Sequence, residues 1–252
     1  MGKTALITGA TSGFGKAIAE RLAKEKFNLI VTGRRKERLE ELKQKLESEN
    51  NIKVLALSFD VRSYDEVERN LGHLPAEWKN IDVLVNNAGL AVGLNPIHEG
   101  VVDDWERMID TNVKGLLYVT RLIAPGMVER KAGHIINIGS IAGREVYPNG
   151  NVYCATKHAV RALSEAMRID MIHYGIRVTL VAPGFAETEF SLVRFKGDKD
   201  RAAHVYEGFS PLVAEDIADA VHYAITAPDH VDIQDVLIMP KVQASATIFH
   251  KE

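Results

Sequence analysis

Short apolar runs recur along this chain with long helical segments between them, and that recurrence constrains the fold more than any other feature. The runs are residues 4–8, 28–32, 53–58, 83–86, 134–139, 177–182 and 236–239. They are rich in Val, Ile and Leu and do not alternate with polar residues. A strand buried on one face alternates, whereas a strand covered on both faces reads as a continuous apolar run. The runs therefore predict a sheet with both faces covered.

The segments between them carry helical periodicity. Residues 16–26 place Ala17, Ile18, Leu22 and Ala23 on one stripe, and residues 35–49 place Leu39, Leu42 and Leu46 on one face. Residues 65–71 form a short charged helix. Residues 102–130 read as one long helix or a broken pair, with Pro125 as the expected kink. Residues 152–174 and 215–226 complete the set. Strand, helix, strand, helix predicts an α/β fold with a parallel sheet and right-handed crossovers. The stretch 185–211 departs from this pattern. It is mixed in charge, with Gly197 and Gly208 as breakers, and reads as a lid or as a plain surface insertion.

Composition excludes more than it identifies. The 252 residues are 46% hydrophobic and 26% charged, which argues against disorder, collagen-like repeats and a coiled coil. A net charge of −3 leaves no footprint for nucleic acid or an anionic membrane. No apolar stretch approaches the roughly 18 residues needed to span a bilayer. The first apolar run, Ala5-Leu6-Ile7, is too short for a signal-peptide core. The single cysteine cannot form an internal disulfide or a multi-cysteine zinc site. These features together predict a cytoplasmic, reducing location.

Thr8-Gly9-Ala10-Thr11-Ser12-Gly13-Phe14-Gly15 follows the first strand and opens the first helix. Glycines here permit a tight turn and let backbone N–H groups approach a pyrophosphate at the helix N-terminus. The same spacing could serve a tight turn with no ligand, but the strand before it and the helix after it favour the phosphate cradle. The second strand ends at Gly33-Arg34-Arg35, where an NAD site offers a carboxylate to the ribose 2′-hydroxyl. Arg34 and Arg35 attract a 2′-phosphate instead, which predicts NADP. They could also simply begin a charged helix face with Lys36 and Arg38. Asp60 and Val61 follow the third strand, where Asp60 either accepts from an adenine amino group or caps the helix beyond it. Asn86-Asn87-Ala88-Gly89 puts small and amide side chains at a strand's carboxyl end, either as part of a ligand crevice or as a turn.

Tyr153 and Lys157 are one helical turn apart and share a face. A neighbouring ammonium and a positive nicotinamide would lower the phenol's pKa and make it a usable base. Ser140 closes the fifth strand and could hydrogen-bond a substrate oxygen. Asn112, a mediocre helix former within a long helix, could hold water near the lysine. Tyr-x-x-x-Lys alone is mostly structural, and its weight comes from this company.

Together with Pro183-Gly184, these motifs closely resemble the short-chain dehydrogenase/reductase superfamily over essentially the whole chain. The resemblance implies a single-domain, doubly wound Rossmann-type fold with a seven-stranded parallel sheet. It also implies an Asn112–Ser140–Tyr153–Lys157 tetrad. In it Tyr153 is the general acid/base and Ser140 polarises the substrate. Lys157 sits on the nicotinamide ribose and Asn112 holds a relay water. Pro183, Gly184, Phe185 and Thr188 would contact the nicotinamide end. Residues 74–78, 87–91, Trp105 with 110–112, 125–130 and 193–198 are similar to NADP-dependent 3-hydroxy acid dehydrogenases, which act on serine and L-allo-threonine. Sulfoacetaldehyde reductases share much of that framework. The resemblance further implies a homotetramer. The helical segments 102–130 and 152–174, apolar on more than one side, permit such an interface. The tail 241–252, with Ile248 and Phe249, either reaches a neighbouring subunit or docks loosely.

Substrate selection falls to residues outside the tetrad. Arg194, Arg144 and Tyr147 are the candidates, because a guanidinium matches a carboxylate or sulfonate. A small anionic hydroxy acid would place its anion there and its carbinol at Tyr153. Arg144 also reads as a solvated charge paired to Glu145. Cys154 is turned about 100° from the tyrosine's face and reads as a small buried residue. His158 reads as packing or capping, and the histidine spacings predict no metal site. A protein that merely senses NADP usually lacks Tyr or Lys of the tetrad, and a purely structural protein needs no phosphate cradle.

Overall fold

The structure, a computed structural model, describes residues 2–251. Strand β1 (Thr4–Ile7) is followed by α1 (Gly13–Lys24), β2 (Asn28–Gly33), α2 (Lys36–Asn50), β3 (Val54–Ser58) and α3 (Tyr64–Leu71). Then come β4 (Val83–Asn86), α4 (Val102–Ile109), α5 (Leu116–Arg130), β5 (Gly133–Ile138), α6 (Asn151–Met171) and β6 (Ile176–Pro183). The last elements are α7 (Glu189–Arg194), α8 (Lys199–His204), α9 (Ala214–Ile225) and β7 (Asp235–Ile238). The strands form one seven-stranded sheet in the order β3-β2-β1-β4-β5-β6-β7. Every pairing is parallel.

The unbroken apolar runs are explained by which side each residue faces. Ala5, Ile7, Leu29, Val31, Val83 and Val85 pack against α1, α2 and α9. Their neighbours Leu6, Ile30 and Leu84 point the other way, into a second core with α3, α5 and α6. Both faces of the central strands are covered, so both parities are mostly apolar, and the polar residues buried there, such as Asn86 and Asn137, are hydrogen-bonded. The connection order reverses between β1 and β4. The loops leaving these two strands diverge and open a crevice at their carboxyl ends.

The structure adds detail to three expectations. The helix expected over 102–130 does break, but not at Pro125, which lies inside α5. The break is a π-helical segment, Asp110–Gly115, a local widening that often marks functional sites. The stretch 185–211 is not wholly irregular, because it folds α7 and α8. The tail also makes contacts within its own chain. The main-chain N–H of Ala246 donates to Glu145 at 2.8 Å, and Phe249 packs 5.2 Å from the Phe185 ring.

Candidate active site

A cavity of about 700 Å³ runs along the carboxyl ends of the strands. One end is the glycine turn. Gly9 and Gly13 have φ of +68° and +51°, in the left-handed region. A side chain on Gly15 would sit 2.5 Å from Asn87 Nδ2, so that helix turn must pass without one. Asn87 holds the turn from the β4 side, donating to the Thr8 carbonyl at 2.8 Å. Ser12 precedes α1 without a side-chain cap, so the first N–H groups of the helix remain available to an anion. Thr11, Ser12 and Phe14 line the same wall. A cradle that a Cβ would fill, beside an uncapped helix N-terminus, fits a pyrophosphate.

Arg34, Arg35, Asp60 and Val61 line the neighbouring wall, so the second-strand arginines and the third-strand pair meet at one site. Arg34 is exposed and 3.9 Å from Asp60. Arg35 donates to Thr11 Oγ1 at 2.8 Å and to Ser12 Oγ at 2.7 Å. Asp60 does not cap the helix beyond it. Ser63 does, its Oγ accepting from the Glu66 N–H at 3.3 Å. Burial raises the Asp60 pKa, but the hydrogen bonds from Arg62 outweigh it and keep the carboxyl below its ordinary value.

At the other end the four residues expected to form the tetrad come from three places: the end of β5, α6 and the π-helical segment. Ser140 follows β5 and accepts from the Ala142 N–H at 3.1 Å. Tyr153 and Lys157 lie on α6, with Lys157 Nζ donating to the Ile138 carbonyl at 2.9 Å. Burial pushes the Lys157 pKa down to about 8. The Tyr153 phenol departs from expectation. Burial, reinforced by Tyr147, raises its pKa, and the opposing pull of Ser140 and Arg194 does not reverse this. In the protein alone the phenol is held neutral. Asn112 has a structural part besides the one expected. Its amide bonds the Leu90 N–H and carbonyl, each at 2.8 Å, and Thr156 Oγ1 at 3.0 Å. With these contacts the side chain fixes the loop after β4, and its Oδ1 accepts one hydrogen bond of the two it can take. It stands behind the cavity wall rather than on it.

Residues of the 185–211 stretch line this end. Arg194 donates to Tyr147 Oη at 2.7 Å, and its guanidinium lies 5.8 Å from the Tyr153 ring centroid. Arg144 is a correction: it does not line the cavity, and its ion-pair partner is Asp235 on β7, not Glu145. Pro183, Gly184, Phe185 and Thr188 line the cavity as expected.

Residues without a sequence signal complete the wall. Gln243 accepts from the Phe185 N–H at 2.7 Å, and Phe249 joins Phe185 and Phe209 in a ring cluster. Glu189, at the start of α7, bridges Arg35 and Arg38. Its charge, opposite to theirs, was the only available hint. Cys154 is free and buried, and His158 Nδ1 lies 2.9 Å from the Cys154 carbonyl. Among the described residues there is no His/Cys/Asp/Glu cluster suited to a metal ion, and no helix long and apolar enough to cross a membrane.

The short chain dehydrogenase family model matches residues 3–198. The chain belongs to the short-chain dehydrogenase family. This dehydrogenase is therefore an oxidoreductase, and it has close relatives. It is 52% identical over 242 residues to the NADP-dependent 3-hydroxy acid dehydrogenase YdfG of Salmonella typhi, covering 96% of each chain. It is 44% identical over 252 residues to the NADP-dependent 3-hydroxy acid dehydrogenase of Schizosaccharomyces pombe, covering 100% of this chain and 97% of that one. The dehydrogenase also superimposes on the closed form of a serine dehydrogenase complexed with NADP+, with a TM-score of 0.92 at 49% identity. That match covers 99% of this chain and 100% of the other.

Proposed function

We propose that this dehydrogenase interconverts a small anionic 3-hydroxy acid and its carbonyl form with NADP as cofactor. Serine, L-allo-threonine, 3-hydroxyisobutyrate and 3-hydroxypropionate are the substrate type. The observation that carries the proposal is the seat of Arg194, a guanidinium aimed into the cavity between Tyr147 and Tyr153. Its Nε is buried without a hydrogen-bond partner among the described residues. A buried donor in that state favours an anionic ligand, and a guanidinium fork fits a carboxylate.

Gly9, Thr11, Ser12, Gly13, Phe14 and Gly15 would hold the pyrophosphate, Arg34 and Arg35 the 2′-phosphate, and Asp60 and Val61 the adenine. Asn87, Lys157, Pro183, Gly184, Phe185 and Thr188 would surround the nicotinamide end. When bound, NADP supplies two-electron redox chemistry at the carbinol carbon. Tyr153 Oη takes the substrate hydroxyl proton in oxidation and returns it in reduction. The neutral phenol of the protein alone is already in the proton-donating form that reduction needs. Ser140 Oγ hydrogen-bonds the reacting oxygen and stabilises the alkoxide as it forms. Lys157 lends positive charge to the phenolate, and Asn112 keeps the Leu90 backbone against the site.

A panel of 3-hydroxy acids with NADP or NAD, followed at the reduced-nicotinamide absorbance, tests this reading. Turnover of L-serine or L-allo-threonine with NADP is expected. Selective turnover of sulfoacetaldehyde with NADPH would give the site to a sulfonate instead. Absence of turnover across alcohols and ketones would leave a binding protein. Arg34→Ala and Arg35→Ala should each lower NADP use relative to NAD. We also propose a homotetramer, since Ile109 and Leu117 on the α4–α5 segment and Ile169 on α6 are exposed. A monomer in sedimentation velocity would overturn it. The proposed location is cytoplasmic, where the free Cys154 stays reduced, and fractionation of expressing cells checks this.

A further inference from the structure

Glu189 ties the lid to the arginines at the other end of the site. Its Oε2 lies 2.8 Å from Arg35 Nη1, and its Oε1 lies 2.8 Å from Arg38 Nη1. Arg35 also binds Thr11 and Ser12, so all three guanidinium nitrogens have partners around the point where the cradle meets the second strand. Burial opposes ionisation of Glu189, yet Arg35 and Arg38 hold its carboxyl down at about 2. The carboxylate is therefore charged throughout the working pH range.

We infer that Glu189 is a specificity-determining residue: an internal anion on Arg35 and Arg38 that a cofactor 2′-phosphate must displace. The inference rests on the NADP reading above. Two anions cannot share one guanidinium without repulsion, and the phosphate carries the larger charge. A cofactor with a 2′-hydroxyl leaves Glu189 in place. Glu189 therefore lowers NADP affinity but not NAD affinity. It also couples the two ends of the site. Glu189 follows Thr188, the cap of α7, and α7 ends at Arg194. Displacing the carboxylate releases the start of the helix that carries the substrate guanidinium.

Calorimetric titration with adenosine 2′,5′-bisphosphate and with AMP tests this without turnover. Glu189→Gln should tighten the bisphosphate about three- to ten-fold, the modest effect expected of exposed charges, and change AMP less than about two-fold. Unchanged or weaker bisphosphate binding overturns the inference. Arg35→Ala separates the two readings. If it fails to weaken the bisphosphate relative to AMP, the 2′-phosphate assignment itself falls, whatever Glu189 does. Hydrogen exchange on the unaltered protein gives a result even if the variant does not fold. Peptides covering 189–195 should exchange faster with the bisphosphate than with AMP, and equal exchange refutes displacement.

Discussion

Lys157 Nζ lies 5.9 Å from the centroid of the Tyr153 ring and is anchored to the Ile138 carbonyl. The two groups sit in the same buried pocket, and burial moves both toward their neutral forms. It raises the phenol and lowers the ammonium. Positive charge is thus costly where the proposed chemistry needs it, so the fold bears a stability cost at this site.

That cost has a pH signature. The ordinary lysine value is 10.5, and in the folded protein it falls to about 8. Between these values the unfolded chain binds the proton and the native one does not, so stability rises with pH across the window. The gain is of the order of 3 kcal/mol. Lys157→Met removes it. Urea unfolding of both proteins at pH 7 and pH 10 should show a rise in the wild type that the variant lacks. The variant should also lose about 10²-fold or more in kcat. Parallel curves would contradict a depressed lysine.

Arg194→Ala should raise KM for a 3-hydroxy acid by about 10- to 150-fold, the range of one charge-assisted hydrogen bond. The same change should alter KM for a neutral alcohol of similar size by less than about three-fold. Tyr147→Phe, which removes the hydroxyl that Arg194 bonds at 2.7 Å, should show the same direction with a smaller effect. Steady-state kinetics on the paired substrates checks both. Equal losses on the charged and neutral substrates would remove the anion from the model.

The sheet and its two covered faces were legible because strand parity is written directly in the apolar runs. The cradle was legible because Gly9 and Gly13 sit at positive φ and a Cβ at Gly15 has no room. Legibility failed where a residue's role depends on a partner distant in the chain. Arg144 pairs with Asp235 and Glu189 with Arg35, contacts that no local pattern announces. Gln243 and Phe249 reached the cavity through a tail with no periodicity. The bonds from Asn112 to Leu90 were not legible either, because no local pattern marks a π-helical segment at Asp110–Gly115.

Asn137 is fully buried in β5 and joins two elements of the sheet to α6. Its Oδ1 accepts from Asn86 Nδ2 at 2.9 Å, and its Nδ2 donates to Ser164 Oγ at 2.9 Å. Asn137→Leu strands polar groups on both neighbours, at a cost of about 1–3 kcal/mol. Neither Asn137 nor Asn86 lines the cavity, so KM of the folded variant should stay within about two-fold of wild type. Denaturant midpoints and kinetics on the same preparation check the split. A KM effect without a stability loss would mean that the network reaches the site.

His134 predicts where the protein yields to acid. It is buried in β5, and its Nε2 lies 2.8 Å from Thr179 Oγ1. The Thr179 hydroxyl donates its one proton to the Ile233 carbonyl, so Nε2 must be the donor in the imidazole pair. Nδ1 is then the acceptor, and it has no partner among the described residues. Burial, with Arg177 adding to it, lowers the pKa from 6.5 to about 3. Between those values the unfolded chain gains a proton that the native state refuses, so stability falls as pH drops through the window. At pH 5 the loss is about 2 kcal/mol relative to pH 7. His134→Gln keeps a donor for Thr179 and cannot titrate. Its stability should fall less between pH 7 and pH 5 by that amount in matched urea titrations. An equal fall in both proteins would assign the acid sensitivity to the carboxylates instead.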